Sequence, residues 1–174
     1  MKENISYRAA FLAFLFLANF FVPWNAKAAL PGDEKNLRGR LGLGFTNQIA
    51  VAPDRTIPAI STKYYVARGT AVGLGLGFDT RSGDNAMAIG AKGYKNVFLE
   101  SNLIFYVGVG AAYVNRQGSH IQGSAFLGTE FFLERLPSLG LSFEVGVRGD
   151  NTSGAFALRT TGDSFLTAGM HFYL

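Results

Sequence analysis

The feature that most constrains this chain is an alternation of large apolar and small or polar residues that returns in most segments after residue 37. Residues 139–148 show it best: leucine, phenylalanine and valine occupy the odd positions, and Gly140, Ser142, Glu144, Gly146 and Arg148 occupy the even ones. A period of two residues is typical of a β-strand with two unlike faces. The abundant glycine, 22 residues, also disfavours a helical bundle.

The alternation predicts eight strands of about ten residues. The strands are expected at residues 38–47, 59–67, 72–78, 86–94, 103–113, 120–133, 139–148 and 166–174. Short turns at one end and longer connections, among them 48–58 and 149–164, at the other indicate an antiparallel up-and-down order. We expect an all-β fold in one domain, residues 38–174.

The first 28 residues have the pattern of a cleaved secretory signal peptide. Lys2 and Arg8 precede an apolar run from Phe11 to Val22, and the small residues Ala26 and Ala28 have the spacing of a cleavage site. The run is too short for a membrane-spanning helix, which needs about 20 residues. Residues 29–37 are polar and without periodicity, and we interpret them as a flexible lead-in.

Eight alternating strands fit either a soluble barrel with an apolar interior or a membrane barrel with an apolar exterior. The second face is mostly Gly, Ala and Ser, which is unlike a soluble surface, where charged residues make up about a quarter to a third. Pointed inward, small residues suit an eight-stranded barrel, whose interior has little space. About ten tilted residues also span the hydrocarbon layer. These arguments favour a transmembrane β-barrel with the apolar face outward.

Charges on the small-residue face are therefore expected in the lumen, since a charge facing lipid costs about 2–4 kcal/mol at the bilayer midplane. Counting residues along each strand from the tight-turn end places these charges in three layers, and each layer contains both positive and negative side chains. This predicts a lumen filled by ion pairs and water rather than an open pore. Bulky aromatics on the other face are expected to form girdles. The low layer holds Arg40, Lys92, Glu130 and His171, the middle layer Lys63 and Glu144, and the upper layer Asp79 and Arg148. The outer girdle is expected at Phe45, Tyr64, Phe78 and Tyr113, and the inner girdle at Phe131, Phe172 and Tyr94.

The last strand carries a recognisable motif. Thr167, Gly169, Phe172 and Leu174 follow the order polar residue, glycine, and two alternating large apolar residues. This order resembles the C-terminal signal of bacterial outer-membrane barrels, and the whole of 38–174 resembles the small eight-stranded barrels of the OmpA/OmpX type. The resemblance implies recognition by the barrel-assembly machinery, contact with outer-membrane lipid and lipopolysaccharide, and a location in a Gram-negative outer membrane.

Several functional classes are disfavoured by composition. The chain has no cysteine and two histidines, so neither a metal site nor a cofactor is expected. Removal of the expected signal peptide takes away three basic residues and one acid, which lowers the net charge from +4 to +2 and gives no reason to expect a nucleic-acid partner. No Ser, His and acid arrangement suggests catalysis, although Ser119 adjoins His120 and the longest loop contains Asp150, Ser153, Asp163 and Ser164. We expect a monomer with a structural or surface-interaction role. A narrow channel for small solutes, or a soluble ligand-binding barrel, are the alternatives.

Overall fold

The computed structural model describes residues 35–52, 55–80, 84–116, 118–150, 157–160 and 166–174. The expected signal peptide lies outside the described residues. No helix within these ranges is long and apolar enough to cross a membrane. The described elements are nine strands: β1 (Leu41–Ala52), β2 (Arg55–Ala67), β3 (Thr70–Asp79), β4 (Ala86–Leu99), β5 (Leu103–Asn115), β6 (Ser119–Leu133), β7 (Leu136–Asp150), β8 (Ala157–Thr160) and β9 (Thr167–Tyr173).

Eight of these strands close into an antiparallel barrel. The order is β6-β5-β4-β3-β2-β1-β9-β7, and pairing of β6 with β7 completes the ring. The short β8 pairs with the upper part of β7, where Val147 lies opposite Thr160, and β9 pairs with the lower part of the same edge. The eight-stranded, all-β up-and-down barrel predicted from the alternation is confirmed. The closed ring leaves its backbone groups paired between neighbours.

The strands are longer than predicted towards the end opposite the tight turns. Residues 48–58 were expected to be a connection, but β1 continues to Ala52 and β2 begins at Arg55. The expected loop 149–164 likewise contains the end of β7 and all of β8. Polar and small residues such as Asn47, Gln48 and Thr56 obscured the pattern here, because they occupy both faces of the hairpin.

The two faces of the strands separate as the alternation predicts. In β3 the glycines are buried, whereas Val72, Leu74, Leu76 and Phe78 are between 46% and 65% exposed. In β5 Ile104 and Tyr106 are fully buried. The interior therefore holds the small and polar side chains together with tyrosines and a few large apolar residues such as Ile104, and the outer wall carries most of the aliphatic and phenylalanine side chains.

Strand β1 bends into the lumen near its middle. Four steps along β1, from Thr46 to Ala50, correspond to two steps along β2, so β1 carries extra residues in a bulge. The bulge directs Ile49 across the barrel: a Cβ added to Gly75 would lie only 1.9 Å from its Cδ1, and one on Gly90 would lie 3.0 Å from its Cγ1. The glycines of β3 and β4 thus accommodate a side chain from a strand on another part of the wall.

The tight-turn end is covered by the residues that precede β1. Leu37 is 1% exposed and packs with Tyr65, Phe132 and Tyr173, which adjoin that end of the barrel. Lys35 donates to the carbonyl of Pro137 at 2.7 Å. The described part of the expected lead-in, residues 35–37, is therefore packed against the barrel.

The seam between β1 and β9 provides a test of barrel closure. A Cβ on Gly44 would lie 1.7 Å from the carbonyl oxygen of Met170 on β9, so Gly44→Ala must push the two strands apart. We expect the free energy of unfolding to fall by about 2–3 kcal/mol. Urea unfolding of the refolded barrel measures it.

Gly93→Ala is the matched control, because a Cβ there meets nothing within 4 Å. Its effect is expected to stay within about 1 kcal/mol. Equal effects of the two substitutions would contradict the close contact of β1 and β9.

Candidate functional site

The candidate site is the set of charged and polar side chains inside the barrel. Five of the eight residues assigned to the lumen are buried, and Lys92 is partly buried beside them. Arg40 lies just before β1 and Asp79 at the upper end of β3, and both are partly exposed. The five buried members are Lys63, Glu130, Glu144, Arg148 and His171.

Glu130 on β6 is the most completely enclosed acid of the group. Its carboxylate accepts hydrogen bonds from Lys63 Nζ at 2.8 Å, from the Tyr65 hydroxyl at 3.0 Å and from the Tyr173 hydroxyl at 2.6 Å. A buried carboxylate loses several kcal/mol of hydration, and only a full set of donors and a counter-charge offset that loss. Lys63 and Tyr65 lie on β2, and Tyr173 lies on β9. Glu130 therefore connects β6 to both of these strands across the lumen.

The ammonium group of Lys63 is enclosed by aromatic rings. Its Nζ lies 4.4 Å from the ring centres of both Tyr94 and Tyr106, and 5.4 Å from that of Tyr65. Ring faces attract a cation electrostatically, and the attraction is stronger where water is excluded. The rings and Glu130 together compensate the buried charge.

A second ion pair joins β4 and β7 across the lumen. Lys92 Nζ donates to Glu144 Oε2 at 2.5 Å, and the Tyr106 hydroxyl donates to Glu144 Oε1 at 3.2 Å. Tyr106 therefore contacts both pairs: it stacks near Lys63 and bonds to Glu144. The two pairs form one continuous network across the lower half of the barrel.

The pairing differs from the expected layers. Lys92 was placed in the low layer with Glu130, and Lys63 in the middle layer with Glu144, but the structure pairs Lys63 with Glu130 and Lys92 with Glu144. Strands in a barrel are tilted and staggered, so residues at equal distance from a turn do not lie at equal height. Counting residues from the strand ends therefore misassigned the two lysines.

Two aromatic assignments were also wrong. Tyr94 was expected in an outer-wall girdle, but it is 6% exposed and packs inside against Tyr106 and Phe126. It shares its parity in β4 with Lys92, and alternation places both inside. Tyr64 is on the outer wall, but it pairs with Leu41 near the tight-turn end rather than at the opposite rim.

The tyrosines that donate to the network were not singled out from the sequence. Tyr65, Tyr106 and Tyr173 all stand on the small-residue face of their strands. A phenol on a face that also carries acids is a ready donor, because a buried hydroxyl needs a partner. Parity combined with that requirement would have identified them.

His171 on β9 contacts Ser61 on β2. The Ser61 Oγ and His171 Nε2 atoms are 2.9 Å apart, and His171 Nδ1 has no hydrogen-bond partner among the described residues. A catalytic serine–histidine pair is oriented by a third group on the other ring nitrogen. Since Nδ1 has no such partner, this pair lacks the third component of a triad.

Three of the loop-end residues considered for catalysis, Ser119, His120 and Asp150, lie in the part of the chain that the structure describes. The Ser119 hydroxyl accepts a hydrogen bond from Tyr113 at 2.7 Å, while His120 Nε2 lies 3.3 Å from Gln122 Nε2. Asp150 is buried at the end of β7. Ser153, Asp163 and Ser164 lie outside the described residues. Among the residues that the structure does describe, no cluster of His, Asp and Glu has the arrangement of a metal site.

The space left inside the barrel is small. Two interior cavities adjoin Ile49, with volumes of about 30 Å³ and 20 Å³, each enough for one or two water molecules. Both are lined by Lys92 and Glu144, and Arg148 borders the first and His171 the second. Arg148 Nε also lacks a hydrogen-bond partner within the described ranges, so each cavity is bordered by a residue with a buried polar atom that water could satisfy.

Apolar clusters lie on both sides of the charged network. Towards the loop end, Ala50, Ile57, Ala88 and Val114 pack together with Ile49. Towards the tight turns, the lumen is filled by the aromatic cluster that includes Leu37. Burial lowers the pKa of Lys35 at this end, and the charge of Arg40 adds to the effect, while that of Glu130 opposes it. The described lumen therefore holds small polar cavities between two packed apolar clusters.

Comparison with known proteins identifies no relative: no protein-family model, curated protein or solved structure matches the chain significantly. The geometry of the site is therefore the basis for any proposal.

The Glu130 network is tested by breaking it from one side. Glu130→Gln leaves the buried Lys63 ammonium without a counter-charge, so we expect a loss of about 3 kcal/mol in the free energy of unfolding. Replacing both partners, Lys63→Met with Glu130→Gln, is expected to cost less than the sum of the two single changes. Urea titration of the four proteins gives the coupling.

Asp84→Asn is the control for this cycle. It breaks the ion pair with Arg116, in which the side chains of Asp84 and Arg116 are 26% and 9% exposed, and is expected to cost less than Glu130→Gln because water reaches the Asp84 carboxylate. The enclosed network is refuted if Glu130→Gln costs no more than Asp84→Asn.

Proposed function

We propose that this protein is a transmembrane β-barrel of the bacterial outer membrane with a structural or surface-interaction role and no chemistry of its own. One observation carries the proposal: the outer wall is apolar, while ionised side chains are enclosed. Phe78, Leu74 and Ile60 are 63–69% exposed, whereas Lys63 and Glu130 are 1% and 0% exposed. A barrel that faces water on its outside has the reverse arrangement.

The extent of the apolar wall supports lipid contact. Large hydrophobic side chains are exposed on all of β1 to β7 and on β9. Soluble monomers rarely expose a contiguous apolar patch larger than a few hundred Å², and a belt around the whole barrel exceeds that. In lipid the same apolar side chains contact hydrocarbon instead of water. The closed ring also leaves no strand edge with unpaired backbone groups.

Strand length is consistent with this location. A strand of 13 residues, such as β2, rises about 30 Å at a tilt near 45°. The apolar band of an outer-membrane barrel is about 25 Å tall. The barrel is therefore tall enough to cross the hydrocarbon layer and leave its loop-end hairpins beyond it.

The proposal includes the expected export and assembly signals. We propose that residues 1–28 direct export and are cleaved, and that the motif in β9 is read by the barrel-assembly machinery. Thr167, which begins β9, is buried, while Phe172 in β9 and Leu174 just after it are 45% and 71% exposed. Such a row of outward apolar residues is accessible to a partner before the barrel closes.

The alternatives have less support. A channel needs a continuous path, whereas the described interior offers cavities of about 30 Å³ and 20 Å³ between packed layers. A soluble ligand-binding barrel needs an apolar interior cavity, and this interior holds two ion pairs. For a lipid-modifying enzyme, Ser61 and His171 lack an orienting group and lie inside the wall.

Cell fractionation tests the proposal, together with two variants that place an arginine at different depths on the outer wall. In a Gram-negative host the full chain is expected in the outer-membrane fraction and as a compact band on unheated SDS gels. Leu74→Arg places a charge at the middle of β3 and is expected to cost about 2–4 kcal/mol and to reduce the folded band.

Leu136→Arg is the control, since Leu136 is 41% exposed beside the β6–β7 turn, where the cost is expected to be about 0–1 kcal/mol. Recovery of the wild-type protein in the soluble fraction would contradict the proposal, and so would equal folding of the two arginine variants.

Recording from planar bilayers separates the closed barrel from a channel. Purified wild-type barrel is expected to give no steady large conductance, because packed aromatic and aliphatic layers bound the polar network on both sides. A reproducible open level from the purified monomer would support the channel instead.

A further inference from the structure

The larger interior cavity, of about 30 Å³, is bordered by polar side chains from three strands. Lys92 comes from β4, Ser124 from β6 and Arg148 from β7. The register of the sheet places Ser124 directly opposite Arg148, and a Cβ added to Gly110 of β5 would lie 2.8 Å from the Ser124 Oγ. These side chains therefore share one space inside the barrel, which we call the Arg148 cavity.

Arg148 has a buried donor that the rest of the lumen does not use. The residue is 7% exposed, and its Nε has no hydrogen-bond partner among the described residues. A guanidinium group carries N–H donors and no acceptor, so only an acceptor can satisfy this atom. A buried donor without a partner retains its full cost of desolvation. The Arg148 cavity is where an acceptor would reduce that cost.

Lys92 contributes further donors to the same cavity. An ammonium group has three N–H donors, and the structure assigns one of them to Glu144 Oε2. The Lys92 Nζ also lies 4.9 Å from the ring centre of Phe126, which favours the charged form without accepting a conventional hydrogen bond. Both cations that border the cavity can therefore donate to an occupant, and neither can accept from it.

The charges around the cavity do not sum to zero. Its described lining contains two cations, Lys92 and Arg148, and one anion, Glu144, which leaves an excess of one positive charge. Beyond the lining, Asp150 attracts the Arg148 guanidinium and Arg159, directly opposite on β8, repels it, so these two residues add one charge of each sign. Unbalanced charge is costly in a low-dielectric interior, and a counter-ion lowers that cost.

We propose that the Arg148 cavity binds one monatomic anion, which is chloride under physiological conditions. The excess positive charge favours an anion over water, and the donors of Lys92, Ser124 and Arg148 supply its ligands. A space for one or two water molecules holds a halide ion but not phosphate or sulfate, each of which has four oxygen atoms around its centre.

The smaller cavity provides an internal comparison. It shares Lys92 and Glu144 with the Arg148 cavity, but its lining has no other lysine or arginine, so no anion is expected there. The bound ion links β4, β6 and β7 in the half of the barrel above the Glu130 network. The inference goes beyond the proposed function and does not depend on it, because a soluble barrel with this lumen would bind the same ion.

Urea unfolding of the purified full-length barrel tests the anion site. Chloride is exchanged stepwise for gluconate at constant ionic strength, because gluconate is too large for the cavity and the exchange leaves charge screening unchanged. A ligand that binds only the folded state stabilises it by mass action. Above the dissociation constant, the ratio of folded to unfolded wild-type protein is therefore expected to rise about tenfold for each tenfold rise in chloride.

Arg148→Met removes the unsatisfied donor and one cation, and is expected to abolish the chloride dependence. Arg159→Met is the matched control, because Arg159 is the exposed arginine opposite Arg148 and does not line the cavity. Its chloride dependence is expected to equal that of the wild type. Ser124→Val keeps both cations but adds bulk to the cavity, so it is expected to weaken the dependence even if Arg148→Met fails to fold.

Bromide locates the ion directly. In crystals grown with bromide in place of chloride, anomalous diffraction is expected to show one peak beside Arg148 and Lys92 of the wild type and none there in Arg148→Met.

Two outcomes overturn the inference. A wild-type stability that does not change with chloride means that water alone occupies the cavity. Loss of the chloride dependence in Arg159→Met as well as in Arg148→Met means that chloride acts through the general positive charge of the loop end. Both outcomes are distinct from failure of the proposed function, which cell fractionation reveals.

Discussion

Enclosing charge in a narrow interior is the constraint on which the rest of this structure depends. Lys63 and Glu130 are almost fully removed from solvent, at 1% and 0% exposure, and neither ion would be tolerated there alone. Compensation comes from the Tyr65 and Tyr173 hydroxyls and from the rings around Lys63. Because these partners belong to different strands, the charges are satisfied only when the barrel has closed.

The same enclosure determines what the barrel does. Side chains that satisfy the ion pairs also fill the lumen, so stability and a continuous solute path compete for the same space. The bulge that carries Ile49 fills more of the interior, beside Gly75 and Gly90. The interior thus acts as a scaffold, and the outer wall and the loop end are the surfaces on which interactions are proposed.

Alternation was enough to predict the barrel because residues two apart share a face and a barrel offers only two environments. That rule predicts the number of strands in the barrel. It also predicts that Leu76 and its neighbours of the same parity lie on the outer wall and that Glu144 lies inside. Where residue type replaced parity, as for Tyr94, the assignment was wrong. The predicted heights of Lys63 and Lys92 along the barrel axis were wrong, because the stagger between neighbouring strands is set by the closed sheet and not by any one strand. The bulge at Ile49 lies in a polar stretch without a clear period, so the alternation gave no indication of it.

The claim that the exposed apolar wall faces lipid is tested most directly with spin labels in bilayers. The chain has no cysteine, so single cysteines can be introduced on the outer wall at Leu74, Leu76 and, near the turn, Leu136. The account predicts that collisions with oxygen exceed those with a water-soluble nickel chelate at Leu74 and Leu76, and that this preference declines at Leu136. Access of the chelate to Leu74 equal to its access to Leu136 would contradict it.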